Sequence, residues 1–215
     1  MSLKNVKIGY RLGFGFGIVL LLACIAAYVS VQYMDQLAKN MTLMYRHPFT
    51  VSKAALRIDA NIVRMHRSMK DVALADSRDD IQAAADQTAA YEKQVYDDFK
   101  IIDERFLGEK ATIDAAKKLF EEWKPIRDEV VSLMMAGKAD EAARISRSKD
   151  AGHVKALSDA VDQFIKFAQG KAETFLSDAE NTAQNALWWT YGISGCLVLL
   201  GIAFAFLITR SISRP

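Results

Sequence analysis

Residues 58–72 read "IDANIVRMHRSMKDV", and the spacing of the apolar side chains in this stretch decides the fold. Ile58, Ile62, Met65, Met69 and Val72 follow one another at steps of four and three. At about 100° per residue such steps keep one stripe of a helix pointing in one direction, whereas a strand would need strict alternation. Three further stretches carry the same signature. Ile81, Ala85, Thr88, Val95, Phe99, Ile102 and Phe106 form the second, with Glu92 as its one misfit. The third is Ile113, Ala116, Phe120, Trp123, Val130 and Leu133, and the fourth is Leu157, Val161, Phe164, Ala168 and Phe175. Breaks fall at "ALADSRDD" (73–80), "FLGEK" (106–110) and "MAGKADEA" (135–142). Four amphipathic helices joined by short turns predict an all-α, antiparallel up-down-up-down four-helix bundle. Ser77 with Asp80 three residues on reads as a capping pair, and Gly108 and Gly137 suit helix ends. Pro48 and Pro125 each lack a backbone donor and are expected to interrupt or kink their helices.

Outward from the bundle, composition changes abruptly. Leu12–Met34 ("LGFGFGIVLLLACIAAYVSVQYM") and Ala186–Thr209 ("ALWWTYGISGCLVLLGIAFAFLIT") carry no charge over 23 and 24 residues. At a rise of about 1.5 Å per residue each crosses a hydrocarbon core of about 30 Å. All 26 acidic residues and all three histidines lie between them. Lys4, Lys7 and Arg11 before the first span, and Arg210 and Arg214 after the second, place both ends in the cytoplasm by the positive-inside rule. The expected order is a cytoplasmic N-terminus (1–11), a span (12–34), an exported sensor bundle (35–185), a second span (186–209) and a cytoplasmic linker start (210–215). Trp188, Trp189 and Tyr191 fall at the outer edge of the second span, where interfacial aromatics belong. No break separates the outer bundle helices from the spans.

Competing readings of the first span are weaker. A cleaved signal peptide has an apolar region of about 7–15 residues, shorter than this one. "LLAC" resembles a lipoprotein box ending at Cys24, but the chain stays apolar after the cysteine. Cys24 and Cys196 each lie mid-span and read as small apolar residues, so the exported segment holds together by packing without disulfides. Its 23 basic against 26 acidic residues give no electrostatic footprint for nucleic acid. No catalytic constellation, phosphate loop or metal-ligand spacing is present, so no enzyme activity, cofactor or metal is expected from these residues. Adjacent carboxylates such as Asp79/Asp80 and Asp97/Asp98 point in different directions and read as solvated faces.

On the first bundle helix Arg57, Asn61, Arg64 and Ser68 line one flank of the apolar stripe, and Asp59, His66 and Lys70 line the other. Two guanidinium groups with amide and hydroxyl neighbours are suited to gripping an organic carboxylate. The alternative is a solvated flank carrying ion pairs within the bundle, with Asp159 or Asp162 of the last helix as partners. His66 reads as a surface or pairing residue rather than a metal ligand. Gly13 and Gly17, with Ala23/Ala27 and Ala26/Ser30, give small-xxx-small spacing that lets two first spans approach in lipid.

The order span, bundle, span, with the runs "NIVRMHRSMKDVALA" (61–75), "FEEWKPIRDEVVSL" (120–133) and "AGHVKALSDAVDQFIKFAQ" (151–169), resembles the sensory half of bacterial methyl-accepting chemotaxis receptors of the four-helix-bundle ligand-binding family. The resemblance implies an inner-membrane homodimer whose periplasmic bundle binds a small ligand or a periplasmic binding protein and acts on cytoplasmic signalling domains. "RSISRP" (210–215) resembles the entrance to a HAMP linker, whose first helix begins at a proline, so the chain is expected to stop at a module boundary. Many relatives place Trp or Tyr at the cytoplasmic edge of the second span, where this chain has Phe204 and Phe206. The same module also serves membrane histidine kinases and diguanylate cyclases, and a non-sensing membrane scaffold has the same outline.

Overall fold

The computed structural model describes residues 8–213, which are helical throughout apart from three short connections. The helices are α1 (Ile8–Met44), α2 (Thr50–Leu74), α3 (Arg78–Arg105), α4 (Lys110–Met135), α5 (Ala139–Ile145) and α6 (Ala151–Ser213). Two π-helical turns, Tyr45–Phe49 and Ser146–Asp150, join α1 to α2 and α5 to α6 without a break in the helix. No strand occurs among the described residues. The expected linker proline, Pro215, and the flanking charges Lys4, Lys7 and Arg214 lie outside them.

The chain divides into two units, each of which has its own logic. Thr42–Thr174 is the bundle. Its largest apolar cluster joins Ile58, Ile62 and Met65 of α2 to Phe99 and Ile102 of α3, Ile113, Phe120 and Trp123 of α4, and Leu157, Val161 and Phe164 of α6. A second cluster gathers Met69, Val72, Ile81, Val130, Met134 and Ala142. The stripes expected from spacing are the buried faces, with a few shifts. In α4 Met134 takes the buried place and Leu133 is half-buried, while Ala85, Phe106 and Phe175 are also half-buried.

Local chemistry explains the connections. The Ser77 hydroxyl accepts from the Asp80 backbone N–H and donates to the Asp80 carboxylate, closing the first turn of α3. Gly137 sits at φ 73° past the end of α4, where a side chain would be strained. At Gly108 a Cβ would lie 2.6 Å from the Phe106 ring, so any larger residue in the α3–α4 turn would push that ring aside. The prolines behave less disruptively than their chemistry predicts. Pro48 is absorbed in the π-helical turn Tyr45–Phe49, which accommodates its missing donor. Pro125 lies within the unbroken α4, and both it and Glu121 one turn earlier are exposed residues, so the interrupted hydrogen bond falls on the outer face of the helix. Helical structure ahead of the last stripe begins well before Leu157, at Ala139, where α5 starts.

The other unit comprises the described residues of Met1–Met41 and Phe175–Pro215. The most apolar 18-residue windows of the two long helical runs have mean hydropathies of 2.4 and 2.3, and only 6% and 0% of these windows are buried. Core helices of a soluble domain would be covered; these two are long and apolar enough to cross a membrane and are left bare. Gly15 meets the Phe204 ring, with its missing Cβ position 3.2 Å from that ring. Gly9, Gly13 and Gly17 lie along a separate shallow groove with Tyr10, Phe14, Ile18 and Leu21.

Candidate functional site

The flank singled out by sequence comes together on α2, facing α3. Arg57 pairs with Asp98 through Nη2, and its Nε donates to the other carboxylate oxygen at 3.2 Å. Asn61 is buried and donates to Gln94 Oε1 at 3.3 Å. Arg64 Nη1 donates to Asn61 Oδ1 at 2.9 Å, while its guanidinium carbon stands 5.8 Å from the centroid of the Tyr91 ring. Ser68 is buried one turn further on. All four residues therefore share one helix flank, but Arg57 is already engaged.

Its partner corrects two expectations. Asp159 and Asp162 bind Lys155 and Lys166 of their own helix, and the flank is neutralised by α3 rather than by the last helix. Asp98, expected on a solvated face, is buried at 4% exposure, while its neighbour Asp97 pairs with Lys100 at the surface. Burial pushes the Asp98 carboxyl above its ordinary value of 3.8, and the hydrogen bond and charge of Arg57 pull it back.

A second set of polar residues lies between the two apolar clusters, with Arg127 and Asp150 buried and Glu92 and His66 half-buried. Arg127 is 3% exposed, and its Nη1 donates to Glu92 Oε2 at 3.2 Å. Its guanidinium carbon is 4.8 Å from the centroid of Trp123 and 5.7 Å from that of Phe120, so ring faces supply the rest of its stabilisation. Nε and Nη2 of Arg127 are buried without a hydrogen-bond acceptor. The Trp123 indole N–H donates to Asp150, whose other oxygen accepts from His66 Nδ1 at 2.9 Å. Of the two roles that the sequence leaves open for His66, surface or pairing, it takes the second. Among the described residues no cluster of ligating side chains fit for a metal is found. His47 donates to the Arg105 carbonyl at 2.9 Å.

Sequence reasoning missed this set, although its signals were present. Glu92 breaks the α3 stripe, and the α4 stripe skips from Trp123 to Val130 over the core position held by Arg127. Two opposite charges at matching core gaps on consecutive antiparallel helices are the mark of a buried pair.

A helical bundle flanked in the chain by two long apolar helical segments is one recognisable class of signalling module. The chain belongs to the family described as a four helix bundle sensory module for signal transduction, which it matches over residues 5–183. No curated protein and no solved structure matches it.

Proposed function

We propose that this chain is the sensory half of a chemotaxis-type receptor of the bacterial inner membrane. Residues 12–34 and 186–209 span the bilayer, residues 35–185 sense a small molecule or a binding protein in the periplasm, and the segment from Arg210 enters a HAMP linker to cytoplasmic signalling domains. One observation carries the reading: α6 is a single helix from Ala151 to Ser213, so it contains both the last stripe of the bundle core and the second apolar window. A helix that belongs to both can convert a change of packing into a displacement at its far end.

Pairing of two copies through α2 agrees with the exposed apolar stripe of Phe49, Leu56 and Val63 at intervals of seven, with Tyr45 stacked on Phe49 at 5.2 Å. Arg57 and Arg64 each directly follow a residue of that stripe. Arg64, exposed and with donors beyond its one bond to Asn61, is the group that takes an organic carboxylate at the seam, Asn61 and Ser68 shape the flank, and Arg57 is held ready by Asp98. Calorimetric titration of the full chain in nanodiscs against a panel of organic acids and amino acids tests the site. An acid that binds should lose all measurable affinity in Arg64→Ala while helicity stays unchanged; unchanged affinity overturns the site, and silence of the whole panel favours a partner-driven sensor or a scaffold.

A further inference from the structure

Arg57, Asn61 and Arg64 follow one another on α2 at steps of four and three, and Asp98, Gln94 and Tyr91 of α3 face them in reverse order at the same spacing. The two antiparallel helices thus meet in three rungs, and the outer two are chemically opposite. At Arg57 the neighbouring helix presents a carboxylate, so the Nε and Nη2 edge of the guanidinium meets both oxygens of Asp98. At Arg64 it presents the ring of Tyr91, whose centroid lies 5.8 Å from the guanidinium carbon. A ring face attracts a cation without taking up its hydrogen bonds. Arg64 has spent Nη1 on Asn61 Oδ1 at 2.9 Å and keeps further N–H donors for an anion from outside.

Asp98 is hard to displace. The side chain of Arg57 is 49% exposed and that of Asp98 only 6%. If the pair opened, water would solvate the arginine, but the carboxylate would stay behind as an uncompensated charge in the core. An organic acid arriving at Arg57 therefore competes with a carboxylate that is already in place and already ordered. Seven residues of helix set Arg57 and Arg64 about 10 Å apart. Between them the same face holds Ala60 and Asn61, neither of which is charged, and the adjoining exposed stripe offers Leu56 and Val63.

We propose that Asp98 is a built-in carboxylate that masks Arg57, so that the flank takes a carboxylate at Arg64 while the end of the ligand that reaches Arg57 is uncharged. The class of ligand this selects is an acid with an uncharged, largely apolar body, and a dicarboxylate long enough to span the two arginines is disfavoured. The choice of ligand rests on the carboxylate reading of the flank proposed above; the masking of Arg57 does not, and it is measured without any ligand.

Phenylglyoxal condenses with the terminal nitrogens of a guanidinium, and at Arg57 the bond of Nη2 to Asp98 withholds one of them. In the full chain in nanodiscs, with adducts mapped by peptide mass spectrometry, Arg57 should be modified about ten- to a hundredfold more slowly than in Asp98→Asn, which keeps the shape of the side chain and removes its charge. Following the same arginine in both proteins cancels whatever a second copy covers at the seam. Calorimetric titration with octanoate and octanedioate, against empty nanodiscs, reads the selectivity. The ratio of octanedioate to octanoate affinity should rise about ten- to a hundredfold in Asp98→Asn. Exposed Arg67, one turn beyond Arg64, is present in both proteins and cancels in that ratio. Should Asp98→Asn fail to melt cooperatively, Asp98→Ser takes its place. Equal modification rates of Arg57 in the two proteins overturn the mask, and an unchanged affinity ratio overturns the selectivity. If neither acid binds either protein while the neutral variant releases Arg57, the carboxylate reading of the flank fails and the mask stands.

Discussion

Glu92 and Arg127 illustrate how one charge can matter more than a dozen. The exposed pairs Lys155–Asp159 and Lys124–Asp128 sit in water and contribute about 0–1 kcal/mol each. Arg127, by contrast, has a side-chain exposure of 4% and a single carboxylate partner. Glu92→Gln should therefore cost about 3–5 kcal/mol in urea unfolding, because it strands a buried cation. Replacing both residues together, Arg127→Met with Glu92→Leu, should be neutral or stabilising by about 1–4 kcal/mol, since apolar packing then takes their place. Equal losses in the single and double variants would contradict this account. At this scale the sequence was half legible. The Arg57–Ser68 flank emerged from periodicity alone, yet its partner did not, because a helical wheel ranks the faces of one helix without saying which neighbour covers a flank. Asp98 looked solvated for the same reason: adjacent acids diverge by about 100°, and only packing reveals which of the two turns inward.

At the level of elements, turns and stripes were the most legible features. Ser77, Gly108 and Gly137 all stand at helix ends, where side-chain capping, close approach and positive φ respectively demand them. Gly108→Ala should cost about 1–3 kcal/mol, because the new methyl displaces Phe106 from its contacts with Phe164 and Phe167. Gly170→Ala, inside α6 with nothing within 4 Å of its Cβ position, should instead stabilise by about 0.4–1 kcal/mol. Thermal melts of the two variants moving in the same direction would contradict the geometry. The two prolines were harder to place. Proline chemistry predicts a lost hydrogen bond, but whether the helix breaks depends on whether the interrupted bond falls on an outer face, as at Pro125, or within a π-helical turn, as at Pro48. The turn at Ser146–Asp150 contains neither proline nor glycine to mark it, and the groups that bind Asp150 come from α2 and α4, far away in sequence.

The molecule as a whole is ruled by the contrast between a bundle that covers its apolar residues and two helical segments that leave theirs bare. Trp188 at 76% exposure and Phe206 at 63% are costly to leave in water, and a bilayer is the solvent that the proposed reading supplies for them. The proposed orientation rests on where Lys and Arg flank the spans, so the account stands on topology before it stands on any ligand. The direct measurement is labelling of intact cells with a membrane-impermeant maleimide, using single-cysteine variants of a chain in which Cys24 and Cys196 are serine. Lys100→Cys, on the exposed side of α3, should react fully in intact cells, whereas Arg210→Cys should react only after lysis. Protection of Lys100→Cys until lysis would place the bundle inside the cell and contradict the central claim.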